Sequence, residues 1–355
     1  LKTIPIFRAR DGFQNLKNNQ ATFERVYKLL GEGNNILILA EGVCKHEKRM
    51  RPIQKGTARM AFGTFEKYGT RNIGIIPVGV NFTDPNRFRS EVMVDVGPVI
   101  DLEDFMADYD QNPRRGVTQL TKEISKRMKK RIVHIDDPAD DAFVERLLTL
   151  NRNFKQESML PALARGHNWL WEEKQIADRV NAMAPADKTQ LRAEVEQYFD
   201  ALDQQGISDV AVAKPRYYNW VNTLIIILGS IPFLLGLVAN VWPLLFARWL
   251  ADRVVKQVQF HASVNFAVGM FSYALYWLVL MIWALISGSL PFMIIVGLMP
   301  FIGFAALQYR DFYQKWIAAL RFHRLDKSTR ESLKEQRERV SQKGAIPSGV
   351  IEERA

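Results

Sequence analysis

Cysteine, metal-ligand spacing and nucleotide-binding glycine patterns are what this chain lacks. Its one cysteine, Cys44, excludes an intramolecular disulfide and suits a reducing compartment. His46, His134, His167, His261 and His323 fall in no metal-ligand spacing. No phosphate loop, dinucleotide-binding motif, nucleophile elbow or internal repeat is present. No metal or redox cofactor is expected. Charge is missing over two long runs, one between Arg216 and Arg248 and one between Lys256 and Arg310, with His261 neutral. Each run exceeds the roughly 20 apolar residues that a membrane-spanning helix needs.

What is present is unevenly spread. The 355 residues carry a net charge of +10, which calls for an anionic partner. Nucleic acid, an anionic membrane surface and a phosphorylated substrate would all satisfy that charge. The apolar C-terminal third selects the membrane, and no nucleic acid is expected.

The stretch Ile36 to Gly69 organises the rest. Ile36–Ala40 is a short β-branched run that reads as a buried strand, followed at once by Glu41-Gly42. Lys45, Lys48, Arg49, Arg51 and Lys55 then crowd one loop, with Pro52 setting a turn. After Gly56, the residues Ala58, Ala61, Phe62 and Phe65 recur at helical spacing until Gly69 stops the pattern. A strand tip, a basic loop and a returning helix N-terminus suit an anion, because free helical N–H groups and the dipole add to the cations. A solvated basic loop with Glu41 as its counterion is the plainer reading of the same residues.

Three blocks in order resemble the glycerophosphate acyltransferases, the lysophosphatidic acid acyltransferase family. Ile4-Pro5-Ile6-Phe7-Arg8 is similar to that family's second block, Glu41-Gly42 with Lys55-Gly56-Thr57-Ala58-Arg59 to its third, and Ile75-Ile76-Pro77-Val78-Gly79 to its fourth. The resemblance covers about residues 1–100. It implies acceptor-binding roles for Arg8, Glu41, Gly42, Lys45, Arg51, Lys55 and Gly56. Val43 and Cys44 replace the usual Thr-Arg of the third block, so Lys45 or another loop cation has to stand in for the arginine. The family's general base lies in a His-x-x-x-x-Asp block, and none of the five histidines here has an aspartate five residues on. The chain is accordingly expected to be truncated before that block and inactive alone, and no catalytic residue is assigned.

Along the chain, strands alternating with helices argue for an α/β fold over residues 1–100, a partial acyltransferase domain. Strands are expected at Ile4–Phe7, Ile36–Ala40, Asn72–Val80 and Val92–Val96, with a helix over Gln20–Leu30. Residues 101–215 read as a charged helical region, with a basic helix over Thr118–Arg131 that could touch a membrane surface or simply face water. Residues 216–309 are membrane-embedded helices. Residues 310–355 form a basic juxtamembrane helix and a loose tail. Charge counting favours Val221–Phe246 as a re-entrant hairpin broken at Gly229, Pro232 and Gly236, followed by a spanning hairpin over 264–307.

Together these features imply a membrane-bound enzyme of phospholipid synthesis with its catalytic domain on the cytoplasmic face. The resemblance implies an acyl-CoA or acyl carrier protein donor and a glycerol 3-phosphate or lysophospholipid acceptor. The acceptor hydroxyl would attack the thioester directly, with histidine as base. Acylation of another lipid acceptor and a non-catalytic scaffold that binds anionic lipid are the alternatives.

Overall fold

The computed structural model describes residues 3, 4, 6, 19–42, 45–85, 90–154 and 169–344, with 169, 258 and 259 by backbone alone. The chain divides into two compact units, residues 1–83 with 90–134, and residues 84–89 with 135–355.

In the first unit, α1 (Asn19–Gly31) packs on α2 (Gly56–Tyr68). The apolar spacing of α2 buries Ala58, Ala61 and Phe62 on one face, and the helix ends where Gly69 takes φ +66. Its Phe62 ring stacks on Tyr109 of α3 (Met106–Gln111) at 3.9 Å between centroids. Leu120 and Ile124 of α4 (Pro113–Lys129) complete this core. Asn112 caps α4 through its side-chain oxygen, which accepts the Arg114 N–H at 2.9 Å, and Pro113 fits the first turn, where no N–H bond is lost. Full burial of Phe62 contributes roughly 1.5–3 kcal/mol relative to exposure.

Strands are sparse. β1 (Gly74–Ile75) pairs with β4 (Ile100–Asp101), and β2 (Val78–Phe82) pairs with β3 (Val92–Val96), both antiparallel. The expected α/β sheet is therefore only weakly developed, and the described residues are mostly helical. Ile36–Ala40, expected as a buried strand, is irregular backbone with Leu37 83% and Leu39 75% exposed. A β-branched run becomes a strand only when a neighbour takes its backbone bonds, and no described strand pairs with it. The strand expected at Ile4–Phe7 falls largely outside the described residues.

The second unit gathers α5 (Asp141–Phe154), α6 (Trp169–Ala182), α7 (Pro185–Gln204) and α8 (Asp209–Ala213) around buried charge pairs. Arg152 bonds Glu173 at 2.7 Å, and Asp209 accepts from Tyr198 at 2.6 Å and from Arg337 at 2.8 Å. Arg337 belongs to α12 (Lys327–Lys343), which closes the unit against α7. Between them run α9 (Trp220–Val254), α10 (Val258–Ser287) and α11 (Leu290–Arg324), three helices long and apolar enough to cross a membrane. Most of their large side chains, Leu235 and Ile286 among them, face outward. The helix α9 corrects one expectation: it runs unbroken through Gly229, Pro232 and Gly236, with no turn dividing it into two limbs.

Candidate active site

The basic loop lies between the turn at Glu41 and the N-terminus of α2. Gly42 takes φ +68, which a side chain would strain, and its N–H closes the turn on Leu39 O at 3.1 Å. Beyond the loop, Gln54 N–H returns to Ala40 O at 3.0 Å, so Glu41 and the start of α2 are tied across the loop's base. Lys55 stands at the N-cap of α2 without a side-chain cap, and its Nζ donates to Thr118 Oγ1 at 3.1 Å. Gly56 opens the helix with nothing within 4 Å of where a Cβ would stand.

Arg51 is the loop's centre. Its guanidinium donates to Glu47 at 2.9 and 3.2 Å, and its backbone N–H is bonded to Glu41. Burial raises the Glu41 carboxyl above its ordinary value, opposed by that N–H and by the Arg51 charge. The hydrogen bond from Arg51 holds Glu47 below the usual carboxylate range. Lys45 is more than half exposed and lies 3.6 Å from the same Glu47. Arg51 Nε and Thr57 Oγ1 are enclosed without a hydrogen-bond partner. Thr57 is in the first turn of α2, and donors such as these can take an oxyanion, since each is costly to leave unmatched where water is excluded.

Of the expected site residues, Glu41, Gly42, Arg51, Lys55 and Gly56 meet at this loop, and Lys45 sits at its outer edge. Arg8 lies outside the described residues, as do Val43 and Cys44. Three residues had not been singled out from the sequence. Glu47 neutralises the loop cations, and its spacing of four from Arg51 was the available signal. Thr57 was visible only as part of the motif. His134 is buried and its Nδ1 accepts the Met50 N–H at 2.9 Å, which anchors the loop from far along the chain. Asn81 holds the His134 segment by bonding Arg131 O at 3.0 Å and Val133 N–H at 2.8 Å.

The acyltransferase family model matches residues 1–81, a stretch that includes the whole loop and α2. Glycerol-3-phosphate O-acyltransferase 1 of Saccharomyces cerevisiae is 32% identical over 124 residues, 34% of this chain and 16% of that protein. Glycerol-3-phosphate O-acyltransferase 2 of the same yeast is 28% identical over 109 residues, 30% of this chain and 15% of that protein. An uncharacterized acyltransferase of Schizosaccharomyces pombe is 26% identical over 98 residues, 27% of this chain and 14% of that protein. The matched stretch thus spans about a sixth of the length of these relatives. No solved structure matches the chain. The N-terminal segment is similar to the acyltransferase family over the stretch that holds the three ordered blocks, and the chain continues into apolar helices that fit transmembrane segments.

Proposed function

We propose that the chain acts in acyl transfer from a thioester donor, acyl-CoA or acyl carrier protein, to glycerol 3-phosphate or a lysophospholipid. Its own part is to hold the acceptor phosphate in the loop between Glu41 and α2. The observation that carries this reading is Arg51, tied through its N–H to Glu41 and with an enclosed Nε that has no partner. The family match over the same residues and the names of the yeast relatives support it. Arg8, Lys45 and Lys55 complete the phosphate site in this reading, Glu41 orders it, and Gly42 and Gly56 let the backbone approach. Residues 1–100 serve as the acyltransferase segment on the cytoplasmic face, 101–215 as a charged helical region, 216–309 as the membrane part and 310–355 as a juxtamembrane basic segment.

None of the five histidines is followed by an aspartate five residues on, as the family's block requires, so residues 1–355 expressed alone are expected to transfer no labelled acyl group. Robust transfer by that chain would refute this part of the reading. In a protein that does transfer, Arg51→Ala and Lys45→Ala should raise the acceptor KM more than the donor KM. A charge-assisted contact is worth roughly 1.5–3 kcal/mol, or about tenfold or more in affinity. Unchanged acceptor KM in both variants would mean that other groups hold the phosphate.

A further inference from the structure

The apolar unit is entered and left at one place. Before α9, Tyr217 and Tyr218 lie against Phe312, Trp316 and His323 of α11, and His323 Nε2 is 3.1 Å from Pro215 O. Just inside, Trp316 Nε1 donates to Thr223 Oγ1 at 3.1 Å and Tyr309 OH to Ile226 O at 2.6 Å. These aromatic side chains, with Arg216, Lys315 and Arg321 beside them, are the residue types that settle at a membrane–water interface. A chain that enters and leaves on the same face of a bilayer crosses it an even number of times. Three helices therefore cannot all cross.

The register of contacts leads to the same conclusion. Thr223, Ile226 and Asn240 of α9 meet Trp316, Tyr309 and Gly303 of α11, so these two run antiparallel. Asp252, Pro243 and Asn240 of α9 meet His261, Ser272 and Tyr273 of α10, again antiparallel. Trp277 and Trp283 of α10 meet Val296 and Phe292 of α11, antiparallel once more. Three rods aligned along one bilayer normal cannot be antiparallel in all three pairings. One of them turns away, and prolines inside α9 (Pro232, Pro243) and α11 (Pro300) mark where that is feasible.

Charge selects α9. Its C-terminal end and the following turn hold Arg248, Asp252, Arg253 and Lys256, whereas Ser287-Gly288-Ser289 between α10 and α11 has no charge. Carrying the first group across would be costly, and carrying the second would not. We infer that α9 dips into the bilayer and returns to its starting face, bending about Asn240, while α10 and α11 form the one spanning hairpin. Measured from Ile226, level with Tyr309, to Asn240 and from Asn240 to Val254, each arm of α9 is about 20 Å long, too short for a hydrocarbon core of about 30 Å. The helix length from Tyr309 back to Ser289 is about 30 Å and suffices.

Neighbouring side chains of α10 make the bend tolerable where water is absent. Pro243 leaves the Ala239 carbonyl without its helical donor, and Tyr276 OH supplies one at 3.2 Å. Pro300 does the same to Val296, and Trp277 Nε1 supplies the donor at 2.9 Å. The buried Asn240 spends its amide on Gly236 O and accepts from Tyr273 OH at 2.6 Å, so no polar atom named here faces lipid unpaired.

The inference concerns the bilayer alone and does not depend on the acyl-transfer reading. Its test uses the full chain in intact cells with Cys44→Ser and one new cysteine at a time, at Gln205, Gln257, Ser287 or Ser328. A membrane-impermeant maleimide is applied before and after permeabilisation. Only the Ser287→Cys protein should react before permeabilisation, or only that one should be protected if the orientation is reversed; all four react afterwards. Gln205 and Ser287 on one face with Gln257 and Ser328 on the other would mean three crossings and overturn the proposal. Gln257 alone on the opposite face would make α11 the re-entrant helix, and all four on one face would mean no crossing; either result also overturns it.

Discussion

Glu41 is where the candidate site and the stability of the fold pull in opposite directions. Burial lifts its carboxyl above the ordinary 4.5, so the folded state binds that proton more tightly than the unfolded chain does. Ionised Glu41 therefore subtracts from stability as pH rises above 4.5 and through the folded value. Glu41→Gln keeps an acceptor for the Arg51 N–H and removes the charge. At pH 7 it should melt no lower than the parent while binding the acceptor less well; a lower melting temperature with normal binding would make Glu41 purely structural. His134→Phe keeps bulk and loses the acceptor for Met50 N–H. One buried hydrogen bond is worth about 1 kcal/mol, so acceptor affinity should fall about fivefold with donor affinity unchanged. An equal fall in both would point to general unfolding. Arg51 and Lys55 can be singled out in the sequence because a basic loop between an apolar run and a helix start has few uses, and their role in binding is a proposal. His134 was not legible, since it lies 84 residues from the backbone it anchors and nothing local distinguishes it from a core histidine.

Among the elements, helices were read well because their signal is local. The spacing of Ala58, Ala61 and Phe62 and the stop at Gly69 locate α2 almost to the residue. Strands were read less well, since Ile36–Ala40 has the composition of a strand and lacks a described partner. In α9 the prolines and glycines suggested a break, yet the backbone stays helical because α10 replaces the donor that Pro243 removes. This compensation can be measured. Interhelical hydrogen bonds within membranes are worth about 0.6 kcal/mol on average and about 1.7 at most. Tyr276→Phe should destabilise the protein in detergent by an amount in that range. In a Pro243→Ala background, where the Ala239 carbonyl regains its helical donor, the same change should cost much less. Equal costs in both backgrounds, read as thermal or denaturant midpoints, would mean that Tyr276 does not serve the proline.

For the molecule as a whole, the division of labour follows from where charge and apolar surface are placed. A family segment with a phosphate-suited loop precedes a helical unit whose outward apolar side chains need lipid. The membrane character was fully legible in the two charge-free runs. The proposed path through the bilayer rests on contacts such as Tyr309 with Ile226 that no local pattern announces. The central claim is that the loop at Arg51 recognises a glycerol-linked phosphate. The most direct measurement is equilibrium binding of labelled glycerol 3-phosphate and lysophosphatidate to the full chain in mixed micelles, beside glycerol and monoacylglycerol as phosphate-free counterparts. The account expects saturable binding of the phosphate-bearing pair only, weakened about tenfold by Arg51→Ala. Equal retention of the phosphate-free pair, or binding indifferent to Arg51→Ala, would contradict it.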